Sequence, residues 1–146
     1  MEQALVVTDI NTEDVDMLWP LVKDQLASAL EHGQGEYELE DIHLQLISGL
    51  MRLWVTYDKD GKIRGSAVCE IRVFPRKKVC YVVLMAGQGM DDWLHHTEAV
   101  EDWALANGAS VIMAYTRKGM AKKLKVQGYR EVYSVIQREL VNRRLH

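Results

Sequence analysis

"KKVCYVVLMAGQGMDDWLHHTEAVEDWALANGASVIMAYT", residues 77–116, decides the architecture of this chain. It opens on an apolar run rich in β-branched residues, passes through Gly87-Gln88-Gly89, and turns helical from Asp91 to about Ala106. Trp93, Val100, Trp103 and Ala104 fall on one side of that helix, and Asn107 with Gly108 ends it. "SVIMAYT" (110–116) is then an almost continuous apolar strand of the buried type. Strand, helix and strand in this order make a β-α-β crossover, which joins strands that run parallel.

Working outward, "RLWVTYD" (52–58) and "KIRGSAVCEIRVF" (62–74) flank the turn "DKDGK", and with the strand ending at Gly87 they predict an antiparallel meander. Before it, "ALVVTDI" (4–10) reads as a short strand, and Asn11 or Thr12 caps a helix that carries Val15, Leu18, Trp19, Val22, Leu26 and Leu30 at helical spacing. Pro20 falls inside this helix and is expected to kink it or make it begin anew. "ELEDIHLQLISGL" (38–50) predicts a second helix, with Leu39, Ile42, Leu46 and Ile47 on one face. Downstream, "KGMAKKLKVQ" (118–127) reads as a short basic helix and "REVYSVIQREL" (130–140) as a closing strand. The order β-α-α-β-β-β-α-β-α-β predicts an α/β fold, a mixed central sheet with helices on both faces, in one domain over residues 1–146.

Composition narrows the function. The chain has 146 residues, 48% of them hydrophobic, enough for one packed core. Its formal net charge of −3 argues against a nucleic-acid partner, because affinity for phosphates rests on accumulated Lys and Arg. No apolar run approaches the length that spans a bilayer, and "MEQALVVTDI" lacks the flanks of a signal peptide, so no membrane association and a cytoplasmic location are expected. Cys69 and Cys80 are the only cysteines, with no CxxC, and they are expected to be buried and reduced. No metal is expected: His95 and His96 are adjacent rather than one helical turn apart.

The Gly87-Gln88-Gly89 stretch has the chemistry of an anion cradle, since glycines admit close backbone approach and a helix start offers unpaired N–H groups. Asp91 and Asp92 place two negative charges in the same turn, which also suits an ordinary helix start.

"AVEDWALANGASVIMAYT" (99–116) and "GMAKKLKVQGYREVYSVIQREL" (119–140), with its Gly128-Tyr129 pair, resemble the third helix, fifth strand and closing unit of the GNAT superfamily of N-acetyltransferases. The resemblance extends over nearly the whole chain, and the last segment is similar to small GNAT-like proteins encoded by bacteriophages. It implies that acetyl-CoA lies between splayed fourth and fifth strands, with its pyrophosphate on an Arg/Gln-x-x-Gly-x-Gly/Ala loop. Carried onto this chain, the cofactor-binding residues are Leu84, Met85, Ala86, Gly87, Gln88, Gly89 and Met90. If Gly87 and Gly89 are the motif's glycines, Leu84 stands at its Arg/Gln position; if Gln88 is the motif's Gln, Asp91 and Trp93 stand at its glycines. This atypical loop implies that acetyl-CoA binds weakly or not at all. Arg117, Lys118, Lys122, Lys123 and Lys125 either offset the acidic pair or form a solvated helix face.

In many members of that superfamily a Glu on the fourth strand takes the amine proton and a Tyr on the fourth helix protonates the thiolate; here those positions hold Tyr81 and Leu124. Glu70, opposite the fourth strand in the hairpin, and Tyr115 on the fifth strand are the substitutes, with Tyr129 as a further phenol; Glu70 has Arg72 or a lysine as a candidate ion-pair partner. His32 and His43 lie where the family receives its acceptor. Two functions result. The first is an acetyl-CoA-dependent N-acyltransferase with an atypical cofactor loop and an unknown acceptor. The second is a catalytically inactive GNAT-fold binding or structural protein, such as a phage-encoded virion or host-interaction component, whose protein partner would meet an exposed set among Trp19, Trp54, Trp93 and Trp103. Either is compatible with a monomer or homodimer, in the cytoplasm or in a virion.

Overall fold

The β-branched runs form strands and the periodic runs form helices in a computed structural model that describes residues 5–87 and 97–142. Gln88, Gly89, Met90, the Asp91–Asp92 pair, Trp93, His95 and His96 lie outside the described residues. Five strands make one sheet in the order β1 (Val6–Ile10), β2 (Arg52–Tyr57), β3 (Ile63–Val73), β4 (Lys78–Gly87) and β5 (Ala109–Ala114). The first three pairings are antiparallel, and β4 with β5 is parallel, as the crossover requires. Among the described residues the α-helices are α1 (Val15–Leu30), α2 (Leu39–Ile47), α3 (Glu98–Ala106) and α4 (Lys118–Val126). The chain divides into two compact units, Met1–Tyr115 with the whole sheet and α1 to α3, and Thr116–His146 with α4.

Strand alternation sends side chains to two cores in the first unit. Leu53, Val55 and Val68 meet Val15, Val22 and Leu26 of α1 and Ile42 and Leu46 of α2 on one face. Trp54, Cys69 and Cys80 meet Ala104 of α3 and Ala109 on the other, where Trp54 and Trp103 pack edge to face at 5.8 Å. Helices therefore cover both faces.

The helix does not begin anew at Pro20: α1 runs as one element from Val15 to Leu30 with Pro20 inside it. The proline lacks the donor that would reach the Asp16 carbonyl, and the rest of the helix ladder continues past it.

The closing strand expected over residues 130–140 is not formed. Residues 129–142 belong to no helix or strand, and Val132, Tyr133, Val135, Ile136 and Leu140 are exposed. A β-branched composition makes a strand only where a neighbour completes its ladder, and among the described residues the second unit contains α4 and no strand.

The β2–β3 turn is held by Asp58. Its Oδ1 accepts from the N–H groups of Asp60 at 2.9 Å and Lys62 at 3.0 Å, and Arg64 Nη1 stands 3.6 Å from Oδ2. Burial pushes this carboxyl up, but the two hydrogen bonds and the Arg64 charge outweigh it and hold it below the ordinary carboxylate range. A depressed carboxylate contributes stability that is present above its unfolded value and lost as pH falls through its folded one. Asp58→Asn should therefore flatten the acid limb of melting temperature against pH below roughly pH 4, while changing the neutral plateau less. A parallel acid limb in the variant would remove Asp58 from the account.

Candidate active site at the β4–β5 junction

The parallel ladder between β4 and β5 runs from Lys78↔Ala109 to Val82↔Ala114, and β5 ends there. β4 continues through Val83–Gly87, held on its other side by β3 through Leu84↔Val68, Met85↔Ala67, Ala86↔Ser66 and Gly87↔Gly65. Val83 is an extra residue in that pairing, because Cys69 faces Val82 while its neighbour Val68 faces Leu84. Such a bulge bends a strand and increases its twist where the ladder to β5 stops. Beyond Val82, no described residue pairs with the β5-side edge of β4, and Val83, Leu84 and Met85 are half-buried rather than buried.

Gly87 closes this edge with φ at 130°. A Cβ there would lie 2.5 Å from the Arg64 carbonyl oxygen and 2.6 Å from Gly65 Cα. Packing against β3 alone thus demands glycine, in addition to any role in admitting a ligand.

At the apex of the unpaired edge the structure brings together the three proposed catalytic residues. Glu70 and Tyr81 are direct partners in the β3–β4 ladder. Tyr115 follows β5, and its ring meets the edge of Tyr81 at 5.3 Å and 72°. Arg72 joins them: its Nε donates to Glu70 Oε1 at 2.7 Å, and its Cζ lies 3.6 Å from the Tyr81 ring centroid. Residue i+2 of a strand shares the face of residue i, which made the Glu70–Arg72 pair foreseeable; the diagonal reach onto Tyr81 needs the register.

Burial raises the Tyr81 phenol above its ordinary range, with Tyr115, Tyr37 and Glu36 adding to the effect and the Arg72 cation opposing it. Tyr81 therefore stays protonated at neutral pH. Glu36 and Tyr37, in the connection between α1 and α2, are close enough to act on this phenol, a contribution that the sequence reading missed. The visible signal was an acid and an aromatic following Gly33 and Gly35.

Other candidates fall elsewhere. His43 Nε2 lies 2.7 Å from Asp16 Oδ1 and its ring stacks on Trp19 at 4.1 Å and 8°, so it ties α2 to α1. His32 is exposed. Trp54 is buried and Trp19 and Trp103 are half-buried, so none of the described tryptophans offers a fully exposed ring. Cys69 and Cys80 are free and buried. Leu124 is buried on α4, and Lys125 pairs with Glu131 at 3.1 Å in the same unit. Among the described residues there is no group of three or more His, Cys, Asp and Glu that could hold a metal ion, and no helix is long and apolar enough to cross a membrane.

No family model and no curated protein sequence matches the chain. Solved structures do. A predicted acetyltransferase from Clostridium acetobutylicum, solved with acetyl-CoA, aligns over 98% of this chain and 99% of its own with a TM-score of 0.64 at 14% identity. Glucosamine-6-phosphate N-acetyltransferase from Arabidopsis thaliana aligns over 94% and 99%, with a TM-score of 0.63 at 12% identity. An aminoglycoside acetyltransferase from an uncultured soil metagenomic sample, solved with sisomicin, aligns over 94% and 97%, with a TM-score of 0.63 at 13% identity. The chain has a GNAT-like acetyltransferase fold, with a five-stranded mixed sheet and helices.

Proposed function

We propose that residues 1–146 form a single-domain acetyl-CoA-dependent N-acyltransferase. The observation that carries this reading is the free edge of β4 beyond Val82, placed beside Glu70, Tyr81 and Tyr115. Over the five residues Val83–Gly87 that edge is about 17 Å long and presents backbone N–H and C=O groups in turn. An extended, amide-bearing chain such as the pantetheine arm of acetyl-CoA fits such an edge as an added strand. Alternate residues of the stretch Leu84, Met85, Ala86 and Gly87 would hold that arm through their backbone, the others being turned to β3, and Gln88, Gly89 and Met90 would continue toward the pyrophosphate.

Acetyl-CoA, when bound, supplies an acyl group activated as a thioester. In the transfer the acceptor nitrogen bonds to the carbonyl carbon, the C–S bond breaks, and a proton lost by the amine is matched by one gained by the departing thiolate. Glu70 has one oxygen engaged by Arg72 and accepts the amine proton on the other, directly or through one water. Tyr115, the more exposed phenol, donates to the thiolate, while Tyr81 braces its ring.

The test is a thermal shift. A ligand at 100 times its dissociation constant stabilises a fold by about 2.7 kcal/mol. For a chain of this length that is a rise of roughly 5 to 10 °C. The acidic pair Asp91 and Asp92 keeps affinity low, so acetyl-CoA is used at millimolar concentration, and a rise of at least about 3 °C is expected. CoA should reproduce most of it and adenine should not. No rise would sink this reading and leave the non-catalytic binding protein in its place.

A further inference from the structure

Arg72 makes only part of the contacts that a guanidinium offers. Its Nε is engaged by Glu70 Oε1, and its plane is fixed over the Tyr81 ring, which leaves the two Nη groups without a partner among the described residues. The side chain is 36% exposed, so the guanidinium remains accessible to a ligand from solvent. An arginine whose orientation is already fixed is a pre-organised fork for a carboxylate, since little further freedom is lost on binding. Beside it the charge is of the other sign: Glu70 lies against it with its side chain 20% exposed.

We propose that the acceptor is a small amine that also carries a carboxylate, such as a free amino acid, with the carboxylate on the Nη edge of Arg72 and the ammonium toward Glu70. This rests on the acyltransferase reading for the reaction, and on Arg72 alone for the anion. A cation needs an acid and an anion needs a fork, and the two stand next to each other on β3. A neutral amine would leave the fork unused. A second cation on the acceptor would meet the Arg72 charge at short range.

The experiment uses the full chain with acetyl-CoA and follows CoA thiol release with free amino acids, the matching amino-acid carboxamides, and ethanolamine phosphate. Charge-assisted hydrogen bonds of this kind correspond to a preference of roughly 10-fold or more for the carboxylate over the carboxamide in kcat/KM, carried mainly by KM. In Arg72→Met the ratio should fall below about 3-fold. If that variant fails to fold, Arg72→Lys keeps the cation near Tyr81 but loses the fork, and the ratio should fall there as well. Carboxamides used as well as carboxylates, a preference for ethanolamine phosphate, or a ratio unchanged in both variants would overturn the proposal. A binding arm runs alongside, with saturation-transfer NMR on a mixture of free amino acids and carboxamides. Carboxylate-selective contact that depends on Arg72 in a protein that ignores acetyl-CoA would uphold the anion site and remove acyl transfer. No carboxylate-selective contact would overturn the proposal, whether or not acetyl-CoA raises the melting temperature.

Discussion

Gly87→Ala is expected to lower stability by roughly 3 to 5 kcal/mol, combining a backbone angle that L side chains avoid with an overpacked contact. The melting temperature should drop by roughly 10 to 15 °C. The added methyl would enter the space of the Arg64 carbonyl and of Gly65 Cα, both backbone atoms of β3 that cannot yield without parting the β3–β4 ladder. Gly61 provides the control. It also has a positive φ, of 78°, but nothing lies within 4 Å of a Cβ placed there, so Gly61→Ala should cost only about 1 kcal/mol. Equal losses at the two positions would mean that the close approach of β4 to β3 contributes nothing.

Tyr115→Phe should reduce kcat by roughly 100-fold, the usual scale for removing a general acid. The ring is kept, so its contact with Tyr81 survives and the melting temperature should stay within about 1 °C of the parent. The acetyl-CoA shift should survive too, because the phenol is assigned to the departing sulfur and not to holding the cofactor. Stopped-flow or steady-state release of CoA thiol reads the rate, and the thermal shift reads the binding. A rate within twofold of the parent would take Tyr115 out of the chemistry.

The order of elements was legible because its signals are local. The apolar run through Gly87, the helical spacing of Val100, Trp103 and Ala104, and the apolar run after Gly108 fix a parallel crossover whatever surrounds them. The turn at Asp58–Lys62 likewise fixed β2 and β3 as neighbours, and the hairpin that follows placed Glu70 opposite β4, while its pairing with Tyr81 in particular came only from the β3–β4 register. The bulge at Val83 was not legible. Val82, Val83, Leu84 and Met85 are all apolar, so no alternation reveals that one of them is extra. Residues 130–140 were misread for the opposite reason: their composition is strongly β-forming, but a strand depends on a partner that composition does not contain. Pro20 does not divide α1, because one missing donor leaves the rest of the helix ladder intact on both sides of it. Arg72 was one of the partners open to Glu70, and its place over Tyr81 depends on the diagonal geometry of the hairpin.

The one-sided pairing of Val83–Gly87 separates two kinds of selection on the same residues. Their side chains answer to the core, which asks only for apolar groups of suitable volume and for the absence of a Cβ at Gly87. Their peptide groups answer to whatever lies along the free edge, and every residue type except proline offers the same N–H and C=O there. Recognition of this kind is written in the main chain, so substitutions can accumulate along the strand without erasing it. The lineage can therefore drift far in sequence while the edge persists, and the positions that would record a change of role are the few whose side chains face the apex: Glu70, Arg72, Tyr81 and Tyr115.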